Sequence, residues 1–180
     1  MHSPTESSET LPSVQPVGRQ AKLIVGLLAA GALLALFWPR GDGSFKEPGG
    51  FLYDASGKAM TLGPNLAPVS LVHFWATWCP PCLEEIPALQ RLRQDFAEHR
   101  DFTVVMVAVD DSSEKVRSFL GAGAGETLFD PDWDVAHRYG TQKLPETYLV
   151  VGGRVVEKFV GQTNWDDPAL RRKLASRLSS

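Results

Sequence analysis

Residues 74–82 read Phe-Trp-Ala-Thr-Trp-Cys-Pro-Pro-Cys and include both cysteines of the 180-residue chain. The apolar run at 69–75 is typical of a buried strand, and the residues from Cys79 onward predict the beginning of a helix. A cysteine at a helix N-terminus faces unpaired N–H groups and the positive end of the helix dipole, which favour the thiolate. The second cysteine, one turn later, is placed to attack a mixed disulfide formed by the first. The spacing therefore predicts a dithiol that exchanges disulfides.

The composition favours one globular domain with an appendage. Hydrophobic residues make up 43% of the chain and charged residues 22%, which is enough to build a core. The net charge is −3 and the basic residues are scattered, so no basic surface for nucleic acid is expected. Two cysteines are also too few for a four-cysteine metal cage.

The N-terminal quarter divides into three predicted segments. Residues 1–21 are rich in Ser, Pro, Thr, Glu and Gln, a composition that predicts disorder. Residues 22–38 are apolar after Lys22 and predict a transmembrane anchor near the short end of the usual length. Residues 39–49 are rich in Gly and Pro and predict a flexible linker.

An uncleaved anchor is favoured over a cleaved signal peptide. Small residues that could suit cleavage follow the apolar run only at Gly41 and Gly43, and the segment before it is long for a signal peptide. A single N-terminal span usually exports the domain that follows it. The predicted location is therefore the inner (cytoplasmic) membrane, with a single pass and the soluble domain facing the periplasm or cell exterior.

Residues 50–180 predict a single α/β domain. Its predicted elements are a hairpin around Ala55-Ser56-Gly57, strands at 69–75 and 102–109, a helix from Cys79 to about Glu98, helices starting at Ser112 and Asp130, a hairpin turning at Gly152-Gly153, and a helix after Asp167-Pro168. This order predicts a mixed sheet, parallel at the centre and antiparallel at an edge hairpin, flanked by helices.

Three motifs together resemble the membrane-anchored TlpA/ResA/CcmG-like thiol–disulfide oxidoreductases of the thioredoxin superfamily. They are residues 74–82, Leu144-Pro145-Glu146-Thr147-Tyr148, and Gly152-Gly153-Arg154 leading to Gly161. The similarity covers about residues 50–178. It implies a thioredoxin-like fold with an N-terminal β-hairpin extension. It also implies a redox-active disulfide between Cys79 and Cys82, without a metal or an organic cofactor.

The resemblance assigns roles around this dithiol. Cys79 would be the exposed nucleophile and Cys82 the buried resolving thiol. Pro145 would be a cis-proline facing the pair, although a trans proline at the start of an edge strand is the alternative. Client proteins would contact four residues: Trp78, Pro80, Pro81 and Leu144. The two prolines between the cysteines also remove backbone donors from the helix start, which predicts a more reducing couple.

Three further residues are candidates for catalysis. Glu85 lies three residues after Cys82, where similar proteins carry a glutamate that tunes the thiols, although it could be a surface residue. Glu146 follows Pro145 and is expected near the rim of the site. His73 stands where thioredoxins have Asp and TlpA-like proteins more often Asn; it could relay a proton to or from Cys82, or only fill space and make one hydrogen bond.

The predicted function is a thiol–disulfide oxidoreductase that reduces disulfides of exported clients. Apocytochrome c, during cytochrome c maturation, or a copper-site protein are the client classes that the resemblance implies, with electrons resupplied by a membrane thiol carrier. An alternative is a Cu(I) delivery module that uses the same two cysteines, with or without His73. A structural or holdase domain with an incidental disulfide is a third possibility.

Overall fold

One eight-stranded mixed sheet organises residues 45–178, the part of the chain that the computed structural model describes, except the side chains at positions 122 and 125. The spatial order of the strands is β1-β8-β7-β4-β5-β6-β2-β3. Their bounds are β1 Phe45–Lys46, β2 Phe51–Tyr53, β3 Ala59–Thr61, β4 Val69–Trp75, β5 Phe102–Val109, β6 Leu128–Asp130, β7 Glu146–Val151 and β8 Arg154–Val160. The predicted disordered tail at 1–21 lies outside the described residues.

Within residues 45–178, four α-helices cover the two faces of the sheet. They are α1 Pro80–Asp95, α2 Ser113–Leu120, α3 Asp134–Arg138 and α4 Pro168–Leu178, and short 3-10 turns lie at Gly63–Asn65 and Gly121–Glu126. Helix α1 begins with two prolines, which is tolerated because the first N–H groups of a helix have no intrahelical acceptor. Ser112 is the N-cap of helix α2, and its hydroxyl accepts a hydrogen bond from the Lys115 N–H at 3.3 Å.

The central strands explain why the sequence is continuously apolar there. Strand β4 pairs in parallel with β5 and antiparallel with β7, and every residue of β4 is buried. On one face, Leu71 packs with Leu89 of α1 and Leu174 of α4. On the other face, Phe74 and Leu52 belong to the cluster that includes residues of α3. The predicted parallel centre and antiparallel edge hairpin are confirmed.

The N-terminal end of the described region differs from the expected linker. Residues Phe45–Lys46 pair antiparallel with β8, although positions 39–49 were expected to be a flexible connection. Glu47 Oε1 then accepts hydrogen bonds from the Gly49 N–H at 2.8 Å and from the Tyr139 hydroxyl at 3.0 Å. These contacts fix residues 45–49 to the domain.

The helix predicted at Asp130 begins later than expected. Asp130 ends strand β6, and its buried carboxylate accepts a hydrogen bond from the Ala136 N–H at 2.7 Å. Trp133 adopts a left-handed backbone conformation, so regular helix starts only at Asp134. The prediction was wrong because Asp and Pro are common at helix starts. Here Asp130 is the last residue of strand β6, and its side chain stabilises the first turn of α3 from that position.

The predicted single-pass location in the inner membrane is corrected. Within residues 45–178 no helix is long and apolar enough to cross a membrane. Helix α1, the longest one described, has 16 residues and carries acidic and basic side chains, whereas a span needs about 20 apolar residues. The predicted anchor at 22–38 lies outside the described part of the chain.

Candidate active site

Cys79 and Cys82 form a disulfide at the beginning of α1. Cys79 is the N-cap residue, and its carbonyl accepts a hydrogen bond from the Cys82 N–H at 3.0 Å. Cys79 retains 5% of its surface and Cys82 none. The predicted nucleophile is therefore less exposed than expected, but it is the member of the pair that keeps some exposed surface.

Two aspartates hold the loop that precedes Cys79. The Asp111 carboxylate accepts hydrogen bonds from the Thr77 N–H at 2.6 Å and from the Ser112 N–H at 2.8 Å. The carbonyl oxygen of Asp110 accepts a hydrogen bond from the Trp78 indole at 3.0 Å. Neither aspartate was singled out from the sequence. The available signal is that both follow β5, and the carboxyl ends of parallel strands β4 and β5 meet at the same sheet edge.

The Leu144–Pro145 peptide bond is cis, as the resemblance implied. The carbonyl of Pro145 accepts a hydrogen bond from the Gly161 N–H at 2.9 Å, which ties this turn to the end of β8. Leu144 packs against the core cluster that contains both Cys79 and Cys82. The fold therefore places the cis turn against the same core cluster as the disulfide.

A buried polar cluster lies on the face of the sheet that α1 covers. His73 of β4 is fully buried, and its Nδ1 lies 2.9 Å from the Thr147 hydroxyl and 3.5 Å from Glu85 Oε1. The other Glu85 oxygen accepts hydrogen bonds from the Thr163 N–H at 2.7 Å and from the Trp165 indole at 3.3 Å. Glu85 is only 2% exposed, so it is not the surface residue considered as an alternative.

Burial moves the pKa values of this pair in opposite directions. Loss of hydration raises the pKa of Glu85 to about 7, although the hydrogen bonds from Thr163 and Trp165 partly oppose the shift. Loss of hydration also lowers the pKa of His73 to about 3. Among the described residues, His73 Nε2 and Glu85 Oε1 have no hydrogen-bond partner. Near neutral pH the cluster therefore holds a neutral imidazole beside a carboxyl group that can accept or release one proton.

Glu146 does not join this cluster. It is 2% exposed rather than at the rim of the site, and it accepts a hydrogen bond from the Tyr148 hydroxyl at 3.0 Å. Lys158 Nζ lies 2.8 Å from the same carboxylate. Successive strand residues point to opposite faces, which places Glu146 and Thr147 on different sides of the sheet. Tyr148 and Lys158, which satisfy this carboxylate, were not predicted from the sequence.

A protein-family model described as Redoxin matches residues 43–174. The chain belongs to the redoxin family. The matched segment includes the Cys79–Cys82 disulfide, the Leu144–Pro145 turn and the His73–Glu85 pair.

Curated relatives of this redoxin carry names of the predicted enzyme class. Thiol-disulfide oxidoreductase ResA of Bacillus thuringiensis (strain Al Hakam) is 25% identical over 120 residues, which cover 65% of this chain and 69% of ResA. Thiol:disulfide interchange protein HelX of Rhodobacter capsulatus is 33% identical over 102 residues, covering 54% of this chain and 55% of HelX. The redoxin is a thiol–disulfide oxidoreductase, as predicted.

The fold is shared with a solved structure of a thiol:disulfide interchange protein of the thioredoxin family from Chlorobium tepidum. The TM-score is 0.60 at 22% identity, over 74% of this chain and 95% of that one. This similarity confirms the predicted thioredoxin-like fold.

Proposed function

We propose that this redoxin reduces disulfides of exported client proteins with the dithiol form of Cys79 and Cys82. The observation that carries the proposal is the disulfide at the start of α1, which belongs to the core cluster against which Leu144 of the cis turn packs. A nucleophilic sulfur and a segment of backbone suited to hold a client are thereby combined at one surface.

The reaction begins with the Cys79 thiolate, which attacks one sulfur of the client disulfide. The client S–S bond breaks, a mixed disulfide forms with Cys79, and the first client thiolate leaves. The Cys82 thiolate then attacks the sulfur of Cys79 and releases the second client thiolate. Two electrons and two protons pass to the client, and Cys79 and Cys82 end as a disulfide. A separate dithiol carrier must reduce that disulfide before the next turnover.

Four residues would contact the client. Trp78 is half exposed directly before Cys79, and the backbone of Leu144 would pair with an extended client segment. Pro80 and Pro81 occupy the first two helical positions and have no N–H to stabilise a thiolate. This arrangement supports reduction of the client, because a less stabilised thiolate gives the cysteine pair a stronger tendency to donate electrons.

The His73–Glu85 pair would handle the proton of the resolving thiol. Cys82 has no exposed surface, so its proton must pass to a protein group when it becomes a nucleophile. Glu85 lies one helical turn away, and its raised pKa of about 7 suits a group that gains and loses a proton near neutrality. His73 would position the Glu85 carboxyl group and limit its ionisation.

We further propose that the clients include apocytochrome c, whose haem-attachment cysteines must be reduced before ligation. The relatives ResA and HelX support this at the level of enzyme class. The alternative, Cu(I) delivery, finds no third ligand, because residues 45–178 contain no group of three His, Cys, Asp or Glu that could hold a metal.

The test is to trap the mixed disulfide. Cys82→Ser should accumulate a covalent adduct with a client through Cys79, and dithiothreitol should release it. Cys79→Ser is the matched control and should trap nothing. Copper that co-purifies with the wild type, together with no adduct in Cys82→Ser, would instead support delivery and reject the reductase.

A further inference from the structure

Three aromatic rings form a continuous surface that starts at the residue before Cys79. The Trp78 and Trp133 ring centroids are 6.5 Å apart, and the Trp133 and His137 rings stack at 5.7 Å. Trp78 is 50% exposed, Trp133 is half-buried and His137 is exposed. We call Trp78, Trp133 and His137 the aromatic ledge.

The backbone holds this ledge at unusual positions. Trp133 has φ +61° and Asp110, whose carbonyl binds the Trp78 indole, has φ +47°. A left-handed conformation is tolerated by Asp but is unfavourable for a bulky residue such as Trp, and such residues cluster at functional sites. The Trp133 ring packs on one side against the core cluster that contains Val135 and Tyr139, and its remaining surface is exposed next to Trp78.

The segments that carry the ledge are acidic. Residues 110–115 and 131–143 contain five carboxylates and three Lys or Arg side chains. The Asp111 carboxylate binds backbone N–H groups, and Asp134 pairs with Arg138 at 3.3 Å. Within residues 45–178, the carboxylates of Asp110 and Asp132 have no ion-pair partner, and both residues are exposed. Asp110 holds the Trp78 indole through its carbonyl, and Asp132 directly precedes Trp133.

We infer that the aromatic ledge, with Asp110 and Asp132, selects clients that carry Lys or Arg near the disulfide to be reduced. This inference rests on the proposed reductase function. The face of a tryptophan ring attracts a cation, most often Arg, and neighbouring carboxylates add to the attraction. Trp78 directly precedes the nucleophile and is 50% exposed, so a client held through Cys79 is expected to lie beside this ring. The client's flanking residues therefore lie within reach of Trp133 and the two carboxylates.

The experiment compares three disulfide peptides that differ only in the flanking residue: Arg, Gln or Glu. The fully reduced full-length protein is mixed with each peptide, and the second-order rate of reduction is measured by acid quenching and chromatography. The Arg peptide should react about tenfold faster than the Glu peptide at low ionic strength, and the ratio should fall as salt approaches about 0.15 M.

Two variants separate the contributions. Trp133→Gly should lower the Arg-to-Glu ratio by about twofold to fivefold, the range for a cation over an exposed ring. Asp110→Asn with Asp132→Asn should remove most of the salt dependence. Phe45→Ala is the control: it removes another exposed aromatic ring, which lies on β1 at the far edge of the sheet, and should leave the ratio unchanged.

The outcomes distinguish this inference from the proposed function. If no peptide is reduced, the reductase itself is rejected. If all three peptides are reduced at equal rates, the reductase stands and the selective ledge is rejected. A Trp133→Gly protein that keeps the wild-type ratio also rejects the ledge. Should that variant fail to fold, judged by circular dichroism, the paired aspartate variant decides through its salt dependence.

Discussion

Replacing Glu85 with Gln should stabilise the oxidised protein at alkaline pH and leave it nearly unchanged at acid pH. Glu85 is 2% exposed and has a pKa of about 7, raised from 4.5 mainly by loss of hydration. Gln has the same shape and can keep accepting from the Thr163 N–H and the Trp165 indole, which now bind one carboxylate oxygen. The substitution therefore removes the buried charge and retains the contacts.

The magnitude follows from proton linkage. A carboxyl group whose pKa is raised in the folded state favours folding fully below its unfolded pKa, and this contribution is lost as pH rises through the folded value. The shift of the Glu85 pKa from 4.5 to about 7 corresponds to about 3 kcal/mol of folding stability. This stability is lost as the pH rises from about 4 to about 8. His73 has the opposite effect, because its pKa is lowered from 6.5 to about 3 in the folded protein. Below about pH 6.5 the unfolded chain binds a proton that the folded protein does not bind, so folding stability falls.

The assay is urea unfolding of the disulfide form, measured from about pH 4 to pH 8. Near pH 8, the free energy of unfolding of Glu85→Gln should exceed that of the wild type by about 3 kcal/mol. Near pH 4, the two free energies should agree within about 0.5 kcal/mol. Glu84→Gln is the matched control, because Glu84 is the exposed neighbour on the same helix, and it should show no such pH dependence.

A Glu85→Gln protein that is less stable than the wild type near pH 8 would refute this reasoning. That result would mean that Glu85 and His73 form a carboxylate–imidazolium pair, in which each charge stabilises the other across the 3.5 Å contact.

Three other substitutions test separate parts of the structure. Pro81→Ala restores the N–H at the second helical position, which can donate to the Cys79 sulfur. Titration against glutathione should therefore show a more oxidising couple. Pro80→Ala, at the first helical position, is the control and should change the reduction potential less. Lys158→Met leaves the buried Glu146 carboxylate without its cation and should lower the free energy of unfolding. The expected loss is only about 2 kcal/mol, because Lys158 is partly exposed. Adding Glu146→Gln should recover most of the loss, and an unrecovered loss would contradict the pairing. Gly50→Ala places a Cβ 2.6 Å from Val135 Cγ2 and should lower the thermal midpoint more than Gly57→Ala, which has a positive φ but nothing within 4 Å.

The parts of the fold that could be predicted are those with a long pattern. Strands β4 and β5 match the predicted bounds at 69–75 and 102–109, because strands covered on both faces are continuously apolar. The Gly152-Gly153 turn also lies where predicted, and both glycines have positive φ. Strand β6 was missed because three residues are too few for a periodic pattern, and Asp130-Pro131 instead has the composition of a helix start.

The candidate site could be predicted only where its residues lie in recognisable motifs. The cysteine pair and the Leu144–Pro145 turn come from such motifs, and Glu85 comes from its helical spacing to Cys82. Thr163 and Trp165, which bind the Glu85 carboxylate, lie 78 and 80 residues later in a loop without a pattern. Their contact depends on how the end of β8 meets α1, and local sequence carries no signal for that approach.

The outer strands of the sheet bear on how this protein can handle non-native clients without aggregating with them. Strand β3, at one edge, has three residues, and β1, at the other, has two described residues, one of them Lys46. Short and charged edges offer little template for intermolecular β-pairing. Under the proposed function, an unfolded client that meets these edges has few backbone groups with which to start a shared sheet, so strand addition would be favoured at Leu144 instead.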